Sequence, residues 1–121
     1  MQSSQQYKGN IAEQLAFEFL QGQGLTLIKR NYQCRLGEID LIMQDSDTQV
    51  FVEVRHRAVS EYANGLESVD RFKQRKCIQA ATHYLMENDL YDKIYCRFDV
   101  VAVAVLSNSP QIEWIQHAFE A

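Results

Sequence analysis

Apolar residues recur at helical spacing near the start of the chain. Ile11, Ala12, Leu15, Ala16, Phe19 and Leu20 fall on one stripe and predict a helix over residues 4–21. Ser4 is placed to cap its start, and Gly22 and Gly24 mark its end. The pattern then changes to short runs of branched and aromatic residues. Leu25 to Tyr32, about Glu38 to Gln44, and Val50 to Arg57 read as three strands, with Asp45-Ser46-Asp47 turning the second into the third. A polar stretch with the turn signal Asn64-Gly65 leads to a second helix, about Ser68 to Glu87. Its apolar stripe reads Val69, Phe72, Cys77, Ala80, Ala81, Tyr84 and Leu85. Arg97 to Leu106 is nearly continuous in apolar residues, as expected of a central strand buried on both faces. Pro110 breaks the chain, and Gln111 to Ile115 reads as a last edge strand. The order is α-β-β-β-α-β-(β), with no repeat and no low-complexity tract. A chain of 121 residues suits a single α/β domain over 1–121, with one core between a mixed sheet and the helices that flank it.

Two of these strands carry charge where apolar residues are expected. Gly37-Glu38-Ile39-Asp40-Leu41-Ile42 and Val50-Phe51-Val52-Glu53-Val54-Arg55 each set a carboxylate inside an apolar run. An ionised carboxylate taken out of water costs several kcal/mol unless it is paired or coordinated. Alternation places Phe51, Glu53, Arg55 and Arg57 on one face of the third strand and Val50, Val52, Val54 and His56 on the other; in the second strand Glu38, Asp40 and Ile42 share a face. If the two strands form a hairpin through residues 45–49, Asp40 and Glu53 converge and bracket a space suited to a hard cation. Mg²⁺ often takes only one or two protein carboxylates and keeps several waters. Glu13 sits at the margin of the first helix's apolar face and is a third candidate, whereas Glu18 lies well round that helix, in solvent. The plain alternative is a structural ion-pair network among Asp40, Glu53 and Arg55.

Composition narrows the setting. Hydrophobic residues make up 46% and charged residues 23%, an ordinary globular mixture. The first residues are polar and resemble no signal peptide, and no apolar run is long enough to cross a bilayer as a helix. Cys34, Cys77 and Cys96 show no CxxC spacing and read as reduced thiols. A cytoplasmic protein without a membrane partner is expected. The net charge of −4 argues against tight nucleic-acid binding. Its distribution is uneven: residues 29–76 hold nine cations against eight acids, and the remainder three against eight.

At this point the residues resemble a known pattern. An acid on the first helix, an Asp, then Glu-x-Lys resembles the PD-(D/E)xK nuclease superfamily, here as Glu13, Asp40 and Glu53-Val54-Arg55. The likeness is strongest to the YraN family of uncharacterised bacterial proteins and more distant to archaeal Holliday-junction resolvases. It is carried by Gly9-x-x-Ala12-Glu13-x-x-Ala16, Arg30-Asn31, Gly37-Glu38-Ile39-Asp40-Leu41-Ile42, Val50-Phe51-Val52-Glu53-Val54-Arg55-x-Arg57, Lys73, Ala80-Ala81-x-x-Tyr84-Leu85 and Arg97-Phe98-Asp99-Val100-Val101. The resemblance implies a restriction-endonuclease-like α-β-β-β-α-β core and a metal-dependent nuclease. Asp40, Glu53 and the carbonyl of Val54 would hold Mg²⁺ or Mn²⁺, and Glu13 would complete the shell directly or through water. DNA, branched or structured by analogy with the resolvases, would be the substrate, cut by a homodimer.

One position departs from the pattern. Arg55 stands where the motif has lysine, and arginine is always protonated and cannot serve as a base. It can still grip a phosphate oxygen with its forked donors. Lys73 could reach back from the second helix and replace the missing lysine in space, although a lysine whose stem covers apolar surface is the commoner arrangement. Glu38 is an auxiliary candidate. Arg35, Arg57 and Arg71 are candidates for phosphate contacts. Tyr62, in the 58–67 stretch, could stack on a base. His56 is expected to be packed or exposed, His83 and His117 have no partner at metal-ligand spacing, and Asp99 is expected to pair with Arg97. A protein that keeps the nuclease fold but only binds nucleic acid or serves as a scaffold is the alternative from a different class.

Overall fold

The computed structural model describes residues 4–57, 70–105 and 109–121; for residues 4–9 and 105 it describes the backbone alone. The elements are α1 (Ser4–Gly22), β1 (Thr26–Cys34), β2 (Gly37–Asp45), β3 (Thr48–His56), α2 (Arg71–Glu87), β4 (Tyr95–Val105) and β5 (Pro110–Phe119). The expected order holds. Tyr62, the Asn64-Gly65 turn, Ser68, Val69 and Leu106 lie outside the described residues.

The strands form one mixed sheet in the order β1-β2-β3-β4-β5. β1, β2 and β3 make an antiparallel meander, β3 and β4 run parallel, and β5 returns antiparallel on the far edge. Ser46, at φ 54°, turns β2 into β3 where the sequence marks a turn. β5 is longer than expected: Pro110 opens it opposite Val105 instead of interrupting the chain.

Two helix ends are set by local chemistry. The N–H of Leu25 donates to the Leu20 carbonyl and that of Gly24 to Gln21, with Gly24 at φ 99°. This is the Schellman closure, which glycine makes without steric cost. α2 begins at Arg71, later than its apolar pattern suggests, because the Asp70 side chain accepts the N–H of Lys73 at 2.8 Å and caps the helix there.

The core differs from expectation in one respect. It is two clusters, one on each face of the sheet. Ala12, Ala16 and Leu20 of α1 pack with Leu41, Val50, Val52, Val101 and Val103. Cys77, Ala80, Ala81 and Tyr84 of α2 pack with Ile42, Phe51 and Phe98. Neighbouring residues of β2 and β3 therefore serve opposite layers, which explains why both strands are apolar without alternation.

Phe72, expected in the α2 stripe, is 61% exposed. The buried row is Cys77, Ala80, Ala81, Tyr84 and Leu85. Extended backwards by helical steps it passes through Lys73, and Phe72 lies well round the helix from it.

The expected Arg97–Asp99 pair is present and larger than foreseen. Asp99 is fully buried and accepts from Arg97 Nε (3.1 Å to each oxygen), Trp114 Nε1 (2.9 Å) and the N–H of His117 (3.1 Å). Arg97 also meets Asp45 at 2.9 Å. The network ties β2, β4 and β5 together.

Gly37, at the start of β2, is where strand and helix touch: a Cβ there would stand 2.5 Å from the Lys76 carbonyl oxygen. Gly37→Ala should therefore lower stability by about 1–3 kcal/mol through overpacking, read as a lower urea midpoint at unchanged slope. Gly22→Ala, where nothing lies within 4 Å, should lower no midpoint. Equal midpoints for wild type and Gly37→Ala would contradict this close approach.

Candidate active site

The site is built where two strands part. The β2–β3 ladder ends at Leu41↔Val52. Beyond it β2 stays with β1 as far as Gly37, and β3 stays with β4 as far as His56. Asp40 lies at this fork. Its Oδ2 accepts the N–H of Val54 at 2.8 Å, so a side chain takes a donor at the point where the β2 backbone leaves β3.

Strict alternation breaks at the same place. Ile39 and Ile42, three residues apart, both pack on the α2 side, whereas Leu41 packs on the α1 side. Asn31, opposite the break on β1, adopts a left-handed φ of 51°. The expected shared face of Glu38, Asp40 and Ile42 is thus interrupted, and Asp40 senses groups from both helices.

Its electrostatics follow from that position. Burial, and then the charge of Glu53, push Asp40 up to about 8; the Val54 N–H opposes this, and Glu13 and Glu38 add to it. Glu13, half-buried on α1, is also raised, first by burial; Arg30 opposes the rise, and Glu38 and Glu53 add to it. Across the site, burial together with Glu53 and Asp40 pushes the Cys77 thiol up to about 12. Four carboxyl groups from α1, β2 and β3 therefore repel one another. Glu53 is paired with Lys73, whose Nζ lies 3.4 Å from its Oε1. The lysine does reach back to the carboxylates, against the commoner arrangement favoured from sequence.

Glu53 and Glu38 line a cavity of about 500 Å³ whose walls include Cys34 and Arg35 of the β1–β2 corner and Phe72, Lys73, Lys76 and Cys77 of α2. The remaining candidates are dispersed. Arg55 is half-buried, and its side chain makes no hydrogen bond or ion pair among the described residues. Arg57 is half-buried, with Nε and Nη2 lacking a hydrogen-bond partner there. Arg71 and His56 are exposed. His83 meets the Tyr32 hydroxyl at 2.7 Å. Cys77 and the exposed Phe72, which the sequence pattern assigned to the apolar stripe, and Lys76 are site-wall residues that sequence reasoning missed. The phase set by Ala80, Ala81, Tyr84 and Leu85 was the signal that could have found them.

The donors suit a hard divalent cation in kind, being carboxylate oxygens with more negative charge than Lys73 offsets. Among the described residues, no group of three or more His, Cys, Asp and Glu side chains stands close enough to hold a metal ion. The arrangement therefore fits a sparse site of two carboxylates completed by water, rather than an all-protein cage.

Residues 12–103 match the uncharacterised protein family UPF0102, a span that includes every carboxylate of the site. The chain is similar to UPF0102 proteins of Psychromonas ingrahamii (50% identical, covering 93% of this chain and 89% of that one), Nitrosomonas eutropha (50%; 98% and 97%) and Stutzerimonas stutzeri (46%; 98% and 99%).

The raised Asp40 makes a signed prediction. Its folded-state value lies above the ordinary 3.8, so its contribution to stability is full below about pH 4 and is lost as pH rises through about 8. In chelator, wild type should lose melting temperature relative to Asp40→Asn as pH is raised from 5 to 9. A wild-type melting temperature that holds or rises relative to Asp40→Asn over that range would contradict this.

Proposed function

The chain belongs to the uncharacterised protein family UPF0102, the YraN family, and on that premise we propose that it is a divalent-metal-dependent nuclease hydrolysing phosphodiester bonds of branched or structured DNA. The reading adds kinship with the restriction-endonuclease-like, PD-(D/E)xK enzymes. The observation that carries it is the fork: Asp40, anchored by the Val54 N–H, is repelled by Glu53, which faces Lys73 and lines a cavity with basic walls.

Asp40, Glu53 and the Val54 carbonyl would hold Mg²⁺ or Mn²⁺, with Glu13 joining through water and Glu38 as an auxiliary acid. A metal ion bound there supplies a water of lowered pKa as nucleophile. The protein's own groups do the rest. Arg55, always protonated, meets charge developing on the phosphate with forked donors. Lys73 supplies, from α2, an ammonium close to Glu53. Arg35, Arg57 and Arg71 position the backbone without reading sequence. A homodimer would offer two such sites to a junction. The unpaired cysteines suit the cytoplasm. Among the described residues no helix is long and apolar enough to cross a membrane.

A second reading, a binder or scaffold that keeps the fold without the chemistry, is favoured by the lack of a ready three-donor group among the described residues and by arginine at position 55.

Purified protein incubated with plasmid, single-stranded and four-way-junction DNA in Mg²⁺ or Mn²⁺ decides between them. Cleavage is expected, with Asp40→Ala and Glu53→Ala each slower by more than about 100-fold, since even outer partners of a metal site are worth 10–100-fold. Cleavage unchanged in both variants would overturn the assignment. Salt-sensitive binding without cleavage would support the second reading.

A further inference from the structure

We propose that Phe72 is a stacking platform for an unpaired nucleobase, so that the polymer presented to the carboxylates carries a single-stranded or splayed nucleotide beside them. The inference rests on the nuclease reading for the identity of the site and narrows its substrate class.

Phe72 adds nothing to either core. It is 61% exposed, off the buried row of α2, and absent from both core clusters. It stands instead on the wall of the cavity that holds Glu53 and Glu38. The ammonium of Lys76, one helical turn on, lies 5.4 Å from its ring centroid. That ammonium lies over one face of the ring; the exposed remainder of the ring can take a base by its π-face while the neighbouring cations hold the attached phosphate by charge.

The surrounding charge selects a polyanion. Arg71, Lys73, Arg75 and Lys76 fall within six residues at the start of α2, and the first turn carries no acid. Among the described residues only Lys73 of these four forms an ion pair. Cations at a helix N-terminus are repelled by the helix dipole; the Asp70 cap sets one carboxylate there, and the four cations exceed it, which favours a bound anion. Arg35 faces it from the β1–β2 corner.

Geometry then separates single strands from duplex. Inside a duplex both faces of a base are covered by its neighbours, and only an unstacked nucleotide can offer a face to Phe72. The cavity, at about 500 Å³, lies within the usual range for ligand sites, roughly 300–1,000 Å³. A peptide would also meet an aromatic ring, but the excess of cations that form no ion pair among the described residues favours the phosphate polymer.

The test is binding in chelator, where no cleavage occurs, of a labelled single-stranded oligonucleotide and a blunt duplex of equal length. Wild type should prefer the single strand. Phe72→Ala should weaken that complex by roughly 5- to 100-fold and leave the duplex unchanged, while Phe72→Trp retains it. Lys76→Ala should reduce the salt dependence by about one phosphate contact, and Phe72→Ala should not. An unchanged melting temperature of Phe72→Ala shows that the fold is intact. The proposal is overturned if wild type binds no single strand or binds both polymers alike, if Phe72→Ala weakens both equally, or if only peptides bind. Phe72-dependent binding without metal-dependent cleavage by wild type would remove the nuclease reading and leave the platform standing. Cleavage indifferent to Phe72 would do the reverse.

Discussion

The hydrogen bond from the Val54 N–H to the Asp40 carboxylate is the interaction around which the molecule's chemistry is arranged. A sheet holds together because each strand satisfies the backbone donors of its neighbour. Where β2 leaves β3, that satisfaction ends, and a carboxylate takes over at the first open position. This places an ionisable carboxyl group at a fork within the sheet, between helices that cover its two faces. Every other feature of the site is local to that fork: Glu53 one residue before Val54, Glu13 and Glu38 near enough to add their fields, and Lys73 descending from α2.

The elements were legible because the folding constraint and the sequence signal are the same thing. The valine and isoleucine runs of β2, β3 and β4 are buried on both sides, and no other placement of such runs avoids exposing them. The carboxylates were legible for the opposite reason, since Asp40 and Glu53 violate that pattern. What sequence could not fix was phase. One heptad of α2 admits Phe72 or Lys73 to the apolar stripe, and small residues such as Ala80 and Ala81 weigh little against a phenylalanine in a pattern count. In space they weigh more, because a helix can lie close against the sheet only along its small residues, and Gly37 permits the same approach from the strand side. Close packing therefore set the rotation of α2, turning Lys73 toward Glu53 and Phe72 outward.

The N-terminal boundary of α2 illustrates the same limit. Periodicity pointed to Ser68, yet the cap is Asp70, whose side chain takes a specific N–H that no hydrophobic count registers. That start puts the basic residues at the helix's positive end, a local conflict of a kind that natural sequences keep mainly at functional sites.

The contrast between two carboxylates in apolar strands shows what separates structure from chemistry. Asp99 and Asp40 look alike in sequence, each an acid among valines, leucines and isoleucines. Asp99 has its oxygens filled by a guanidinium, an indole N–H and a backbone N–H, and its cationic partner is shared with Asp45. Replacing it would leave Arg97 buried without its main partner, so its role is complete within the fold. Asp40 has one backbone donor and three like-charged neighbours. A group so placed can be stabilised only by taking up a proton or by meeting a cation from outside. That open demand, rather than the presence of an acid in a strand, is what separates the fork from Asp99 and supports the proposal that a ligand is met there.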